Sequence, residues 1–200
     1  MGKVEAVILA AGLSSRMGSH KLLLPVKNKT IIENVLDIIF SGGLSNISVV
    51  VGHGKEEILE VLRPYRIKII HNPLYRQGMS TSLKSAVEHL SKDKQTEAIL
   101  VFNGDMPLIK PDTVTKMLKQ YEDTRPLLSA PVYQGRRGHP VLFARELFEQ
   151  LLAITGDMGA RQVVEQNVSL MQTVAVDDPG IHLDIDSRED YQSAVALAAR

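Results

Sequence analysis

Short apolar runs alternate with stretches of helical periodicity along the first half of the chain. Residues 4–9 are apolar apart from Glu5, a pattern typical of a strand covered on both faces of a parallel sheet. Residues 30–33 fit a capping box, and apolar residues then recur at helical spacing as far as Gly42 and Gly43. The same alternation predicts strands at residues 47–51, 67–70 and 98–102, helices at residues 55–62 and 111–121, and a helix that Ser80 or Ser82 caps and that ends at Leu90. Strands joined in this way are expected to pair in parallel.

The pattern changes after residue 126. An apolar run at residues 127–132, the basic segment 133–140 and the apolar residues 141–143 fit a hairpin or an excursion with a basic tip. Further helices are predicted at residues 145–152 and 159–167, a strand at residues 170–176, and a last helix behind a capping box of Ser187 and Asp190. No linker rich in Pro, Gly or Ser divides the chain, so we expect one domain over residues 1–200.

Composition narrows the class of partner. The 200 residues include 23 basic and 23 acidic side chains, so no global positive field favours nucleic acid as a partner. The chain contains no cysteine, which excludes a disulfide framework, a thiolate zinc site and a cysteine nucleophile. No stretch approaches the roughly 18 apolar residues of a membrane span, so we expect no membrane partner and a cytoplasmic location.

The segment from Leu9 to Lys21 follows the first predicted strand and has the character of a phosphate-binding loop. Its glycines let the backbone approach a ligand closely, and Arg16 and Lys21 add positive charge. Two familiar phosphate loops fail on spacing. The dinucleotide fingerprint needs a glycine where Ser14 stands, and five residues separate Gly12 from Gly18 where a P-loop has four.

An acidic residue follows the strongest strand signal in the chain. Residues 98–102 are wholly apolar and lead directly into Asn103, Gly104 and Asp105. Ligands of open α/β sheets bind outside the carboxyl ends of the strands. We therefore expect Asp105 and the loop after Leu9 to face one crevice.

Several loops together resemble one known family. The relevant stretches are LAAGLSSRMGSHKLLLP at 9–25, QGMSTSL at 77–83, GDMP at 104–107, RGHPV at 137–141, GDMGAR at 156–161 and DIDSRED at 184–190. In their order and spacing they resemble the molybdenum cofactor cytidylyltransferases, which are MobA-like nucleotidyltransferases of the nucleotide-diphospho-sugar transferase fold. The resemblance implies a three-layer α/β/α protein with a mostly parallel, Rossmann-like sheet. It further implies transfer of CMP from CTP to the phosphate of molybdopterin (the molybdenum cofactor) with release of pyrophosphate, Mg2+ as the cofactor, and a transient contact with a molybdenum hydroxylase.

The resemblance also implies roles for individual residues, with nucleotide binding at about residues 1–110 and acceptor binding at about residues 111–200. Lys21, Arg16 and Asp105 are the expected catalytic residues, and Asp105, Asp184 and Asp186 the expected Mg2+ ligands. The expected nucleotide-binding residues are Leu9, Ala10, Ala11, Gly12, Ser14, Ser15, Gly78 and Ser82. The expected acceptor-binding residues are Arg137, His139, Asp157 and Arg161. Related guanylyltransferases tend to have LAGG at the opening, so Ala11 favours cytosine.

Other functions stay open at this point. They are a GTP-dependent guanylyltransferase, transfer to a sugar or polyol phosphate, and a nucleotide-binding cofactor chaperone without catalysis. Asp186 also suits the N-terminus of a helix without any metal. His20, His53 and His71 lack metal-ligand spacing and are interpreted as structural or exposed. The absence of a Ser/His/Asp motif is no objection to phosphoryl chemistry, because positioning and charge neutralisation can suffice for it.

Overall fold

A computed structural model of the chain describes residues 3–12, 20–156 and 159–198. Its strands are β1 (Lys3–Ala10), β2 (Pro25–Val26), β3 (Lys29–Thr30), β4 (Ile47–Val51), β5 (Lys68–His71), β6 (Thr96–Asn103), β7 (Leu128–Tyr133), β8 (Arg136–Arg137), β9 (Val141–Ala144) and β10 (Met171–Ala175). Its α-helices are α1 (Ile31–Ser41), α2 (Lys55–Leu62), α3 (Met79–Leu90), α4 (Pro111–Thr124), α5 (Phe148–Ala153), α6 (Arg161–Gln166) and α7 (Arg188–Ala198).

The main sheet runs in the order β10-β7-β9-β6-β1-β4-β5, and β8 pairs with β7 alone. Strands β6, β1, β4 and β5 pair in parallel, as do β10 and β7. Strand β9 is antiparallel to both β6 and β7, because the chain returns from the β7–β8 hairpin directly into the sheet. The prediction of a mostly parallel sheet is therefore confirmed, and the basic tip is a hairpin.

Helices cover both faces of this sheet. Ala6, Ile8 and Ala10 of β1 pack in one core with α1, α2, α4 and α7, whereas Val7 packs in a second core with α3, α5 and α6. This alternation follows from the two-residue period of a strand. It confirms the predicted three-layer α/β/α arrangement. No helix in the described ranges is long and apolar enough to cross a bilayer.

The charged residue inside β1 is fully buried and paired. Glu5 accepts hydrogen bonds from the Ser48 hydroxyl at 2.7 Å and from the Lys68 ammonium at 3.0 Å, and Lys3 Nζ lies 3.2 Å from its carboxylate. Buried carboxylates persist when they are paired and hydrogen-bonded in this way. Glu5 therefore does not interrupt the strand.

One local prediction needs correction, and two short strands were not predicted. Helix α3 begins at Met79 with Gly78 as its N-cap, and no side chain caps it, so the predicted cap by Ser80 or Ser82 is wrong. Both serines are buried within the helix, and the Ser80 hydroxyl donates to the Gly156 carbonyl. The two-residue strands β2 and β3 were not predicted, because strands this short carry no periodicity.

The predicted capping box at the start of α1 is present. The Thr30 backbone N–H donates to Glu33 at 2.8 Å, and the Glu33 backbone N–H donates to the Thr30 hydroxyl at 3.4 Å. Thr30→Ala should lower the free energy of unfolding by about 1 kcal/mol in urea titration at pH 7. Thr30→Ser keeps the hydroxyl and should stay within about 0.5 kcal/mol of the unaltered protein. Equal losses in both variants would contradict the assignment.

Candidate active site

The carboxyl ends of the central strands β1 and β6 lie side by side. Leu9 of β1 stands opposite Asn103 of β6, and the Gly104 backbone N–H donates to the Leu9 carbonyl at 3.0 Å. A Cβ at Gly104 would lie 2.9 Å from that carbonyl oxygen, so this close approach requires glycine. The start of the loop after β1 and the segment carrying Asp105 thus meet at one edge of the sheet, as expected.

Lys21 bridges two carboxylates at this edge. Its ammonium nitrogen lies 2.6 Å from Asp105 Oδ2 and 2.8 Å from Asp186 Oδ1. The partners come from positions 84 and 165 residues away in the chain. The structure thus brings together three of the residues that the sequence singled out.

Burial shapes the charges of this cluster. Burial raises the pKa of the Asp105 carboxyl above its usual range, Lys21 opposes the shift, and Asp184 and Asp186 add to it. Burial also acts to lower the pKa of Lys21, but Asp105 and Asp186 outweigh it and the lysine pKa is raised. Lys21 therefore remains protonated at neutral pH.

Asp105 keeps one acceptor unused. Its Oδ1 atom is buried and has no hydrogen-bond partner among residues 3–12, 20–156 and 159–198. A buried carboxylate oxygen without a donor is rare in folded proteins. A hard cation or a phosphate-bound water would satisfy it.

The closing DID motif is anchored to the Asp105 segment. The backbone N–H of buried Ile185 donates to the Asp105 carbonyl at 3.0 Å, while Asp184 is exposed. Asp186 is followed by the predicted capping box, since the Asp190 backbone N–H donates to the Ser187 hydroxyl at 3.1 Å. Within the described ranges, no group of three or more histidine or acidic side chains is placed to hold a metal ion. The three predicted Mg2+ ligands therefore stay a prediction.

The predicted nucleotide-binding residues lie near the same edge where the structure describes them. Ala10 and Ala11 are buried at the end of β1, and Gly12 is exposed. Gly78 has a φ of 107°, which favours glycine and turns the chain into α3. The Ser82 hydroxyl accepts from the Asn72 side chain at 3.0 Å. The predicted residues Ser14, Ser15 and Arg16 lie outside the described residues.

A cavity of about 440 Å3 opens beside this edge. Leu9 and Asn103 belong to its wall, which joins it to the strand ends. The predicted acceptor residues Arg137, His139 and Arg161 also line it, and most other lining residues are apolar. Apolar walls with a few convergent polar groups are typical of small-molecule sites. Asp157, the remaining predicted acceptor residue, lies outside the described residues.

His139 stands between the cavity and the acidic cluster. Its backbone N–H donates to the Ile181 carbonyl at 3.0 Å, and its Nδ1 is buried without a hydrogen-bond partner in the described part of the chain. Burial lowers the pKa of His139, while Asp105 and Asp184 oppose that shift. The imidazole is therefore neutral at pH 7 and can either donate or accept a hydrogen bond.

The two cavity arginines are exposed and differ in their contacts. The Arg137 guanidinium lies 3.5 Å from the Met171 sulfur, whereas Arg161 forms an ion pair with Glu165 at 2.8 Å on the same helix. Exposed ion pairs such as that of Arg161 with Glu165 contribute little to stability, so Arg161 can exchange the carboxylate for a ligand anion. Both side chains can therefore turn towards an anionic ligand.

Sequence reasoning missed Asn72. This residue is fully buried, and its side-chain NH2 group donates to the hydroxyls of Thr81, at 2.9 Å, and Ser82. Its side-chain oxygen Oδ1 accepts from the Leu74 backbone N–H at 2.9 Å. It thereby ties the loop after β5 to the first turn of α3. An asparagine directly before Pro73 is a turn signal, and that was the available hint.

A three-layer α/β/α fold with a lysine and acidic residues at the carboxyl ends of its strands is typical of α/β proteins that bind nucleotides. The family is shown by direct comparison. Residues 6–172 match the model of the MobA-like NTP transferase domain, and the chain belongs to this family. The resemblance inferred from the six motifs is confirmed.

Two relatives and one solved structure illustrate the range of the family and the fold. The chain is 34% identical to the molybdenum cofactor cytidylyltransferase of Escherichia coli K12, over 97% of this chain and 96% of that protein. It is 28% identical to the nicotine blue oxidoreductase of Paenarthrobacter nicotinovorans, over 93% of each chain. A crystal structure of the Rv0371C protein of Mycobacterium tuberculosis H37Rv in complex with manganese shares the fold, with a TM-score of 0.81, 23% identity and 98% coverage of each chain.

Proposed function

We propose that this protein transfers CMP from CTP to the terminal phosphate of molybdopterin, with release of pyrophosphate. A phosphate oxygen of the acceptor forms a bond to the α-phosphorus of CTP, and the bond from that phosphorus to the β-phosphate oxygen breaks. The observation that carries the proposal is the Lys21, Asp105 and Asp186 cluster, which lies at the strand ends beside an apolar cavity rimmed by arginines. The similarity to the Escherichia coli cytidylyltransferase supports the choice of substrates.

Lys21 is proposed to neutralise charge on the leaving pyrophosphate. Its raised pKa keeps the ammonium protonated. It donates one hydrogen bond to Asp105 and one to Asp186, and it can exchange these carboxylate oxygens for phosphate oxygens. Such preorganised charges act without reorganisation cost at the moment of reaction. Arg16 is proposed to act beside it on the same phosphates.

The donor set fits a Mg2+ ion. Mg2+ commonly binds through one or two carboxylates together with substrate phosphates and water, so Asp105 with Asp184 or Asp186 is sufficient. The buried Oδ1 of Asp105, which has no hydrogen-bond partner in the described part of the chain, is the observation that favours such a cation. When bound, Mg2+ supplies charge neutralisation at the transferring phosphoryl group.

The cavity is proposed to receive the acceptor. Its apolar wall suits a flat heterocycle, and Arg137 and Arg161 at its rim suit an anionic group. His139 faces both the cavity and the acidic cluster, and is proposed to hydrogen-bond the acceptor near the reacting phosphate.

Pyrophosphate release tests the proposal. With molybdopterin as acceptor and Mg2+ present, the initial rate with CTP should exceed the rate with GTP or ATP by at least about tenfold, since Ala11 stands where related guanylyltransferases tend to have glycine and leaves less room for a purine. Omission of the acceptor is the control and should abolish release. A preference for GTP would overturn the choice of cytosine.

The same assay separates the other candidate functions. Equal rates with a sugar or polyol phosphate in place of molybdopterin would assign a different acceptor. Tight binding of CTP and molybdopterin without any pyrophosphate release would favour a cofactor chaperone.

A further inference from the structure

Three aromatic side chains form a ring stack beside Lys21: His20, His53 and Tyr75. The rings of His20 and His53 have centroids 5.0 Å apart and an interplanar angle of 21°. The rings of His53 and Tyr75 are tilted by 37° to each other, and their centroids lie 6.0 Å apart. The stack therefore links the residue before Lys21 to the loops after β4 and β5.

Two glycines make room for this ring stack. Gly54 has a φ of 56°, and a Cβ there would lie 1.6 Å from His20 Nε2, so the imidazole rests against bare backbone. A Cβ on Gly52 would lie 2.7 Å from Tyr75 Cβ and 2.9 Å from Ala11 Cβ. Side chains at these positions would displace His20 and Tyr75. The loop after β4 is thus shaped to accept the rings.

The nitrogens of the His20 ring lie in a buried environment beside the loop after β4. Both of its nitrogens are buried, and neither has a hydrogen-bond partner in residues 3–12, 20–156 and 159–198. Burial and then the neighbouring His53 lower the pKa of His20, while Glu57 and the His53 backbone oppose the shift, so the ring is neutral at pH 7. Within the described residues, the ring is held in place by its stacking on His53 and by its contact with the Gly54 backbone.

The backbone around His20 connects the ring stack to Lys21. The His20 carbonyl accepts from the Leu23 backbone N–H at 2.9 Å, and the Lys21 carbonyl accepts from the Leu24 backbone N–H at 3.1 Å. These bonds form the single turn at Lys21–Leu23. Consecutive residues are therefore anchored on two sides, His20 by the rings and Lys21 by its carboxylates.

We propose that His20 is a positioning residue, which through its stack on His53 fixes the turn that carries Lys21 and so aligns the lysine with the reacting phosphates. The catalytic part of this inference rests on the proposed nucleotidyl transfer. Misplacement of a catalytic group by about 1 Å can cost about 100-fold in rate. The ring stack acts on that placement and touches no reacting atom.

Rate measurements on three variants test this role. His20→Ala removes the ring and should lower kcat for pyrophosphate release by about 10- to 100-fold, with a much smaller change in KM for CTP. His20→Phe keeps a stacking ring without the unpaired nitrogens, and should restore kcat to within about threefold with an unfolding midpoint no lower than that of the unaltered protein. His89→Ala, at an exposed position near the end of α3, is the matched control and should behave as the unaltered protein.

Hydrogen exchange without substrate tests the positioning independently of turnover. The Leu23 and Leu24 amides should exchange at least about tenfold faster in His20→Ala, and as in the unaltered protein in His20→Phe. His53→Ala breaks the same stack from its other side and should reproduce the faster exchange, which also serves if His20→Ala does not fold.

Unchanged exchange in both alanine variants would overturn the inference. So would a His20→Phe variant as impaired as His20→Ala, because the nitrogens and not the stack would then matter. If no variant and not even the unaltered protein releases pyrophosphate from CTP, the proposed function fails, and the exchange rates still decide the role of the ring stack.

Discussion

Asp105→Asn should lower the rate of pyrophosphate release from CTP by at least about 1000-fold, because it removes the negative charge from an acidic side chain whose buried Oδ1 has no hydrogen-bond partner among the described residues. The substitution keeps the size of the side chain and an oxygen that can accept from Lys21. Burial raises the pKa of Asp105, so its charged form is less favourable in the folded protein without ligand than in the unfolded chain. The unfolding midpoint of the variant should therefore equal or exceed that of the unaltered protein.

Asp123→Asn is the matched control. Asp123 lies on α4 in an exposed ion pair with Lys119, and its replacement should change neither the rate nor the midpoint measurably. Asp105→Asn that retains more than about a tenth of the activity would contradict the role of Asp105. A large fall in its unfolding midpoint would point to a purely structural role.

Lys21→Met should lower the rate by about 100- to 1000-fold and also destabilise the protein at neutral pH. The rate falls because the leaving pyrophosphate loses its cation. The stability falls because Asp105 and Asp186 remain close together without the ammonium that bridges them. We expect a loss of about 1–3 kcal/mol in the free energy of unfolding at pH 7, discounted for the partial exposure of Asp186.

The pH dependence of this loss has a definite sign. Without Lys21, the pKa of Asp105 in the folded protein rises further above its unfolded value, since burial, Asp184 and Asp186 raise it and the opposing charge of Lys21 is gone. The folded state of the variant binds a proton at Asp105 more tightly than the unfolded state does. The free energy of unfolding therefore falls as the pH rises from the unfolded to the folded pKa of Asp105. The deficit of Lys21→Met in urea titrations should thus shrink between pH 7 and pH 5. Lys29→Met, which breaks an exposed pair with Asp37, is the control and should show no such trend. A deficit that does not vary with pH would contradict the electrostatic explanation.

The central strands were predictable from sequence for a simple physical reason. Strands β1, β4 and β6 are covered on both faces, so their sequences are almost continuous apolar runs of strand length. The capping boxes at Thr30 and Ser187 were equally readable, because both partners lie within three residues of each other.

Contacts between segments that are far apart in the sequence could not be predicted from local sequence patterns. The pairing of Glu5 with Lys68 joins residues 63 apart, and nothing in either neighbourhood signals it. The bridge from Lys21 to Asp186 spans 165 residues, and only the resemblance to a family placed both residues in one site. The ring stack depends on tertiary space beside Gly54, so His20 and His53 were interpreted only as structural or exposed.

The N-terminus of α3 shows how tertiary context overrides a local signal. Serines are preferred N-caps, yet Ser80 and Ser82 face the protein interior, where the first donates to Gly156 and the second accepts from Asn72. Gly78 takes the cap position because its positive φ lets the chain turn sharply out of the preceding loop.

The most direct test is a crystal structure with CTP and Mn2+, in which anomalous scattering locates the ion. Our proposal predicts an anomalous peak at the Asp105 carboxylate, the triphosphate against Lys21 and the cytosine beside Ala11. Lys21 should then contact phosphate oxygens in place of at least one carboxylate. An ordered CTP bound elsewhere, or one bound at this edge while the metal lies away from Asp105, would contradict it.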